Sequence, residues 1–225
     1  SGVDRELVDI DAVPDVLIDA VLASEDQQFF EHSGLDPVGI ARATWNDIRN
    51  PESLQGGSTI TQQYVKNAYL TRERTIWRKL KEAAYAIKVE RKFDKNEILE
   101  RYLNTIYFGR GAYGVQAASR AYFDKDVGQL ELRDAAYLAG LIRAPELGDA
   151  MIAPGVADQR RAKVLSNMVE TRAITPAQRR EAEAMPVIEY VAPRAGREPV
   201  VSGARSGTDY FVDYVRRQLI ETYSE

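Results

Sequence analysis

Between residues 13 and 185 apolar side chains recur at three- and four-residue spacing in one segment after another, with proline, glycine and capping residues between the segments. This is the period of amphipathic helices packed on a common core, so these segments are expected to be helical. Residues 7–10 are at most a short strand or an extended lead-in. A helix is predicted over 13–23, with Pro14 in its first turn and Val16, Leu17, Ala20 and Val21 on one side. Further helices are predicted over 37–50, from a cap at Ser58 to Asn67, and over 71–93, 95–107, 115–123 and 132–142. Two more follow a cap at Asp158 and a cap at Thr175-Pro176, the second ending near 185. The 71–93 helix is expected to bury Trp77, Leu80, Ala84 and Ile87. After Pro186 the pattern changes: 187–191 looks extended, 192–207 is a Pro/Gly/Ser/Arg loop and 209–223 resumes as a helix. Residues 1–185 therefore read as one domain, and 186–225 as a linker towards a further domain that this sequence does not contain.

A chain of 225 residues can bury one substantial core, or a core with a small appended lobe. Its formal charge of −4 argues against nucleic acid as a partner of the whole surface. With no cysteine there are no disulfides, thiolate metal sites or cysteine nucleophiles. No run approaches the roughly 18–20 consecutive apolar residues of a membrane span.

The chemistry-bearing residues concentrate in 24–36, Ser-Glu-Asp-Gln-Gln-Phe-Phe-Glu-His-Ser-Gly-Leu-Asp, which holds the single histidine. The preceding helix delivers Glu25 and Asp26 to its C-terminal end. Partial negative charge there, with desolvation by Phe29 and Phe30, raises a carboxylate pKa, as a general base requires. Acidic residues before a Gly-containing turn also form ordinary solvated loops, and His32 alone reads as a turn or packing residue. In 55–67, Gly56-Gly57 permit a tight turn and the following helix presents Gln62 or Gln63 one turn before Lys66. Its N–H groups and Lys66 are suited to an anion such as a phosphate. On the 71–93 helix Arg78, Lys79 and Glu82 cluster at helical spacing, which fits either a salt-bridged surface or a cationic pyrophosphate site beside a second carboxylate. Trp45 on the 37–50 helix fits either core packing or a lipid interface.

Glu25-Asp26 with Phe29, His32, Gly34 and Asp36; Gly56-Gly57-Ser58-Thr59-Ile60-Thr61-Gln62-Gln63; Arg78-Lys79 with Glu82 and Ala86; and Lys95, Ile98-Leu99, Tyr102-Leu103-Asn104, Tyr107-Phe108-Gly109 and Gly111 together resemble the family 51 glycosyltransferases. These are the peptidoglycan glycosyltransferase domains of class A penicillin-binding proteins and of monofunctional cell-wall transglycosylases. A fifth motif looks like Ala135-Ala136-Tyr137-Leu138-Ala139-Gly140-Leu141, with Asp134 where the family usually has Glu. The resemblance implies an all-α fold, a lysozyme-like large helical lobe with a small membrane-facing jaw over about 33–72. It further implies polymerisation of lipid II into β-1,4 glycan with inversion and release of undecaprenyl pyrophosphate. Glu25 would be the general base and Glu82 the second catalytic carboxylate, with substrate contacts from Asp26, Phe29, His32, Ser58, Thr59, Gln62, Gln63, Lys66, Arg78, Lys79 and Asn104. No metal or other cofactor is implied as required, although a Mg²⁺ or Mn²⁺ fits beside the pyrophosphate. The implied partners are lipid II, the growing glycan strand, the membrane surface and a transpeptidase domain of the same polypeptide. The implied location is the extracytoplasmic face of a bacterial cell membrane. No Ser-x-x-Lys pair occurs in the sequence. The rival readings are a lysozyme-like glycan hydrolase, against which the Lys66/Arg78/Lys79 cations argue, and a non-catalytic membrane scaffold.

Overall fold

The computed structural model describes residues 6–34, 58–69 and 76–193, without the side chains of 69, 76 and 78–80. These form eight α-helices: α1 (Asp15–Glu25), α2 (Ile60–Tyr69), α3 (Ile76–Lys92), α4 (Lys95–Thr105), α5 (Val115–Phe123), α6 (Leu132–Leu141), α7 (Pro154–Glu170) and α8 (Pro176–Glu183). Short 3₁₀ turns sit at Ile10–Ala12, Val127–Gln129 and Val187–Glu189. The all-α expectation holds: among the described residues the only β pairing is an isolated bridge between Tyr107 and Tyr113. The predicted 37–50 helix and most of the 33–72 jaw lie outside the described residues.

The centre of the fold is α6. Its Ala-Ala-Tyr-Leu-Ala-Gly-Leu run is buried from end to end, and it packs against α1 and α7. Small residues allow this, since a Cβ on Gly140 would stand 3.3 Å from the Arg160 backbone of α7. Leu17, Leu138, Leu141 and Leu165, all fully buried, contribute roughly 1.5–3 kcal/mol each by leaving water. Asp134 at the start of α6 closes a capping box with Glu131 and accepts from Lys125 Nζ at 2.8 Å, which gives it a structural part. The Tyr137 hydroxyl donates to the Gly148 carbonyl and accepts from the Ala150 N–H, both at 3.0 Å. It thereby fixes the loop after α6.

Five expectations are corrected. Pro14 precedes α1 as its N-cap instead of entering the first turn. α7 begins at Pro154, because a proline preset for helical φ suits the first position; Asp158 lies inside the helix and accepts from Arg161 and the Val187 N–H. Residues 187–191 are not extended. They make a 3₁₀ turn at Val187–Glu189, and Val187 and Val191 are buried. On α3 the buried face is not the predicted one: Trp77 is 75% exposed and Ala84 is exposed, whereas Glu82 and Ala86 are buried. The apolar count favoured Trp77, but α3 packs against α2 and receives Thr61 Oγ1 of that helix on Glu90. Finally, Thr59, and not Ser58, caps α2: Thr59 Oγ1 accepts from the Gln62 N–H at 3.2 Å while Gln62 Oε1 accepts from the Thr59 N–H at 3.0 Å.

Candidate active site

Glu25 is the last residue of α1 and Asp26 its C-cap, as the amphipathic pattern predicted. Both are buried, each 7% exposed, so their carboxylates need partners. For Glu25 these come from two distant elements. Gln63 of α2 donates Nε2 to Glu25 Oε2 at 2.9 Å. Arg143, just after α6, donates Nε to Oε1 at 3.0 Å and Nη2 to the Ser24 carbonyl at 3.1 Å.

The orientation of the Gln63 amide is set by a third element. Tyr102 of α4 donates its hydroxyl to Gln63 Oε1 at 3.1 Å, leaving the amide nitrogen to face Glu25. Burial, and after it the negative charge of Glu25, pushes the Tyr102 phenol well above its ordinary pKa. Tyr102 is therefore a neutral donor throughout the physiological range.

Asp26 plays a different part. It accepts from His32 Nε2 at 3.0 Å and from the Ile60 N–H at 3.0 Å, the first amide of α2. A carboxylate at a helix N-terminus satisfies an orphan donor and complements the dipole. With Thr59 capping as well, the N–H groups of Ile60 and Gln62 that the sequence offered to an anion are already used by Asp26 and Thr59. The turn is closed by Thr59 Oγ1 donating to the Gly34 carbonyl at 2.9 Å. His32 is buried edge-on to Phe29, with ring centroids 6.2 Å apart.

The other candidates lie on or beside α2, α3 and α4. Glu82 is 1% exposed on α3; Lys66 is exposed in the last turn of α2. Ser58 gives its carbonyl to Gln63 Nε2 at 3.4 Å. Arg78 and Lys79 lie on α3, and their side chains are outside the described residues. Asn104 binds the chain's lead-in: its Nδ2 donates to the Val8 carbonyl at 2.8 Å and its Oδ1 accepts from the Val8 N–H at 3.0 Å. Among the described residues no group of three or more His, Asp or Glu side chains converges as a metal cage would.

Sequence reasoning missed Arg143 and the role of Tyr102. Arg143 is 118 residues from Glu25, a separation that no helical spacing encodes, and its one sequence clue is that it follows the fifth motif. Tyr102 stood in plain view inside the fourth motif, but its place in an apolar column made it read as core.

The carboxylate so held lies in a chain with well-defined relatives. The family model described as Transglycosylase matches residues 1–169. The chain is 46% identical over 221 residues to Penicillin-binding protein 1A of Aquifex aeolicus, covering 98% of this chain and 29% of that protein. Against Penicillin-binding protein 1A of Haemophilus influenzae it is 40% identical over 218 residues, covering 95% of this chain and 24% of that one. The crystal structure of Penicillin-Binding Protein 1A from Haemophilus influenzae superposes with a TM-score of 0.52 at 24% identity over 98% of this chain and 22% of the other, which supports the helical fold. The chain thus spans less than a third of the length of these relatives. With the family model covering three quarters of the sequence and the matched motifs converging on Glu25, the chain belongs to the transglycosylase family.

Proposed function

We propose that the chain is a peptidoglycan glycosyltransferase that extends glycan strands from lipid II, with Glu25 as the general base. The observation that carries this reading is the buried Glu25 carboxylate at the end of α1, held from two sides by Gln63 and Arg143. A buried carboxylate aimed by fixed donors is poised for one proton transfer. In the step proposed, the 4-hydroxyl of the acceptor glucosamine attacks the anomeric carbon of the donor strand. Its proton passes to Glu25 as the new C–O bond forms. The bond from the anomeric carbon to the lipid pyrophosphate breaks on the opposite face, the electron pair leaves with the pyrophosphate, and the configuration inverts.

Negative charge grows on the departing pyrophosphate, and Lys66, Arg78 and Lys79 are the motif cations assigned to it. Glu82 is assigned to holding those cations, or a divalent ion, in place. The outer face of α3 supports a membrane setting for a lipid-borne substrate. Trp77 and Tyr85 are exposed there among exposed Lys81, Lys88, Arg91 and Lys92, a mixture of amphipathic aromatics and cations suited to an anionic bilayer surface. The extracytoplasmic face of a bacterial membrane and a transpeptidase domain elsewhere in the same polypeptide belong to this same proposal. Among the described residues no helix is long and apolar enough to cross a membrane.

The test is polymerisation of labelled lipid II in detergent by the chain and by Glu25→Gln. The chain is expected to make long lysozyme-sensitive glycan and Glu25→Gln to lose on the order of 10²–10⁴-fold in rate. Release of soluble muropeptides from preformed glycan by the unaltered chain would replace the transferase with a hydrolase.

A further inference from the structure

We propose that Glu90, a residue outside the catalytic set, is a positioning residue of the transfer centre: it pins α2 so that Gln63 reaches Glu25. This rests on the reading of Glu25 as the base. Glu90 sits on α3 with its side chain 7% exposed. One carboxylate oxygen, Oε1, accepts from two sides: from Thr61 Oγ1 at 2.5 Å and from Lys95 Nζ at 2.7 Å.

Thr61 is the second residue of α2, and Gln63 follows two positions later. At 3.6 residues per turn these side chains leave the helix about 200° apart, on nearly opposite sides. The helix is therefore held between two carboxylates, Glu90 gripping Thr61 and Glu25 gripping Gln63, while Asp26 holds its first amide. Removing the Thr61 grip lets α2 roll, and the residue a roll displaces most directly is Gln63. Lys95 extends the clamp to the Glu25 turn, with its ammonium 4.4 Å from the centre of the Phe29 ring. Independent packing marks the same spot. Gly34 has φ +80°, and a Cβ on it would meet the Ala86 carbonyl at 3.1 Å and Glu90 Cγ at 3.2 Å. The turn that follows Glu25 and the helix that carries Gln63 thus both rest on the Ala86–Glu90 stretch of α3. None of these contacts touches Glu25 itself, so Glu90 acts through Gln63.

The experiment measures kcat and KM for lipid II with the 225-residue chain carrying Glu90→Ala, Glu90→Gln, Thr61→Val, Gln63→Ala and the double substitution Gln63→Ala/Glu90→Ala. Each is assayed well below its own melting temperature. Glu90→Ala is expected to lower kcat about 10- to 100-fold with KM within about twofold, the signature of a misplaced but still bound substrate. Glu90→Gln keeps an acceptor for Thr61 and is expected to recover most of the rate. In the Gln63→Ala background the added Glu90→Ala is expected to cost less than about threefold, because the pin then has nothing left to place. If Glu90→Ala does not fold, Thr61→Val removes the same grip without stranding Lys95 and is expected to show the same kcat loss. An unchanged kcat, a change confined to KM, or the full loss repeated in the Gln63→Ala background would overturn the inference while leaving the glycosyltransferase reading intact. A wild-type chain that makes no polymer overturns both.

Discussion

Two arginine–carboxylate pairs, Arg110–Asp149 and Arg143–Glu25, differ little in distance and greatly in use. Arg110 and Asp149 meet bidentately, at 2.7 and 2.9 Å, with side chains only 4% and 1% exposed. Both Nη1 donors go to backbone carbonyls, of Ala121 and Ala192, and the group lies 4.2 Å over the Tyr122 ring. That pair is closed, and it ties α5, the loop after α6 and the chain's exit at Ala192 into one block. Arg143 meets Glu25 through a single contact, and its side chain is 41% exposed while the carboxylate is 2% exposed. The first pair is shut away from solvent on both sides; the second keeps a cation at the surface beside a buried carboxylate. What separates the two pairs is how many donors the fold has already committed, since the residue types are the same.

The largest expected effect lies in the closed pair. Asp149→Ala strands a buried guanidinium and is expected to cost about 3–5 kcal/mol, lowering Tm by on the order of 10 °C, as read by circular dichroism. Activity of the fraction still folded should stay near wild type. A melting curve that does not move would dissolve the contrast. Next in size, Arg143→Gln removes one of the two side chains holding Glu25. It is expected to reduce kcat for lipid II polymerisation about tenfold, equivalent to about 1.4 kcal/mol, while Tm shifts by no more than a degree or two. A large loss of stability instead would place Arg143 with Arg110 among the structural arginines.

The smallest effect appears only at high pH. Burial pushes the Tyr190 phenol up to about 12 and raises Tyr102, Tyr122 and Tyr137 as well. A phenol whose folded pKa is raised is held neutral by the fold. Its contribution to stability is complete below the unfolded value near 10 and is lost as pH rises through the folded value. Tm is therefore expected to be flat from pH 8 to about 9.5 and to fall above pH 10. Tyr122→Phe and Tyr190→Phe should each soften that fall. A decline beginning below pH 9 would have to come from other groups.

Helical periodicity alone was enough to read most of the described helices, to bring Glu25 and Asp26 to the end of α1 and to start α8 at the Thr175 cap, because caps and apolar spacing are local and a helix satisfies its backbone within itself. Where local evidence was misleading, the competing force was tertiary. Apolar content assigned Trp77 to the core, yet α3 buries Glu82 and Ala86. Residues 187–191 read as extended, yet they open in a 3₁₀ turn and Val187 and Val191 are buried in the core. The sequence by itself determined the helices, the motif order and the placing of Glu25 and Asp26 at a helix end. Only the tertiary structure decided that Asp26 caps α2, that Tyr102 turns Gln63 towards Glu25, and that Arg143 arrives from 118 residues away. A buried carboxylate must find donors wherever the packed chain brings them, and the packing that brings them is set by contacts between segments that no single stretch of sequence contains.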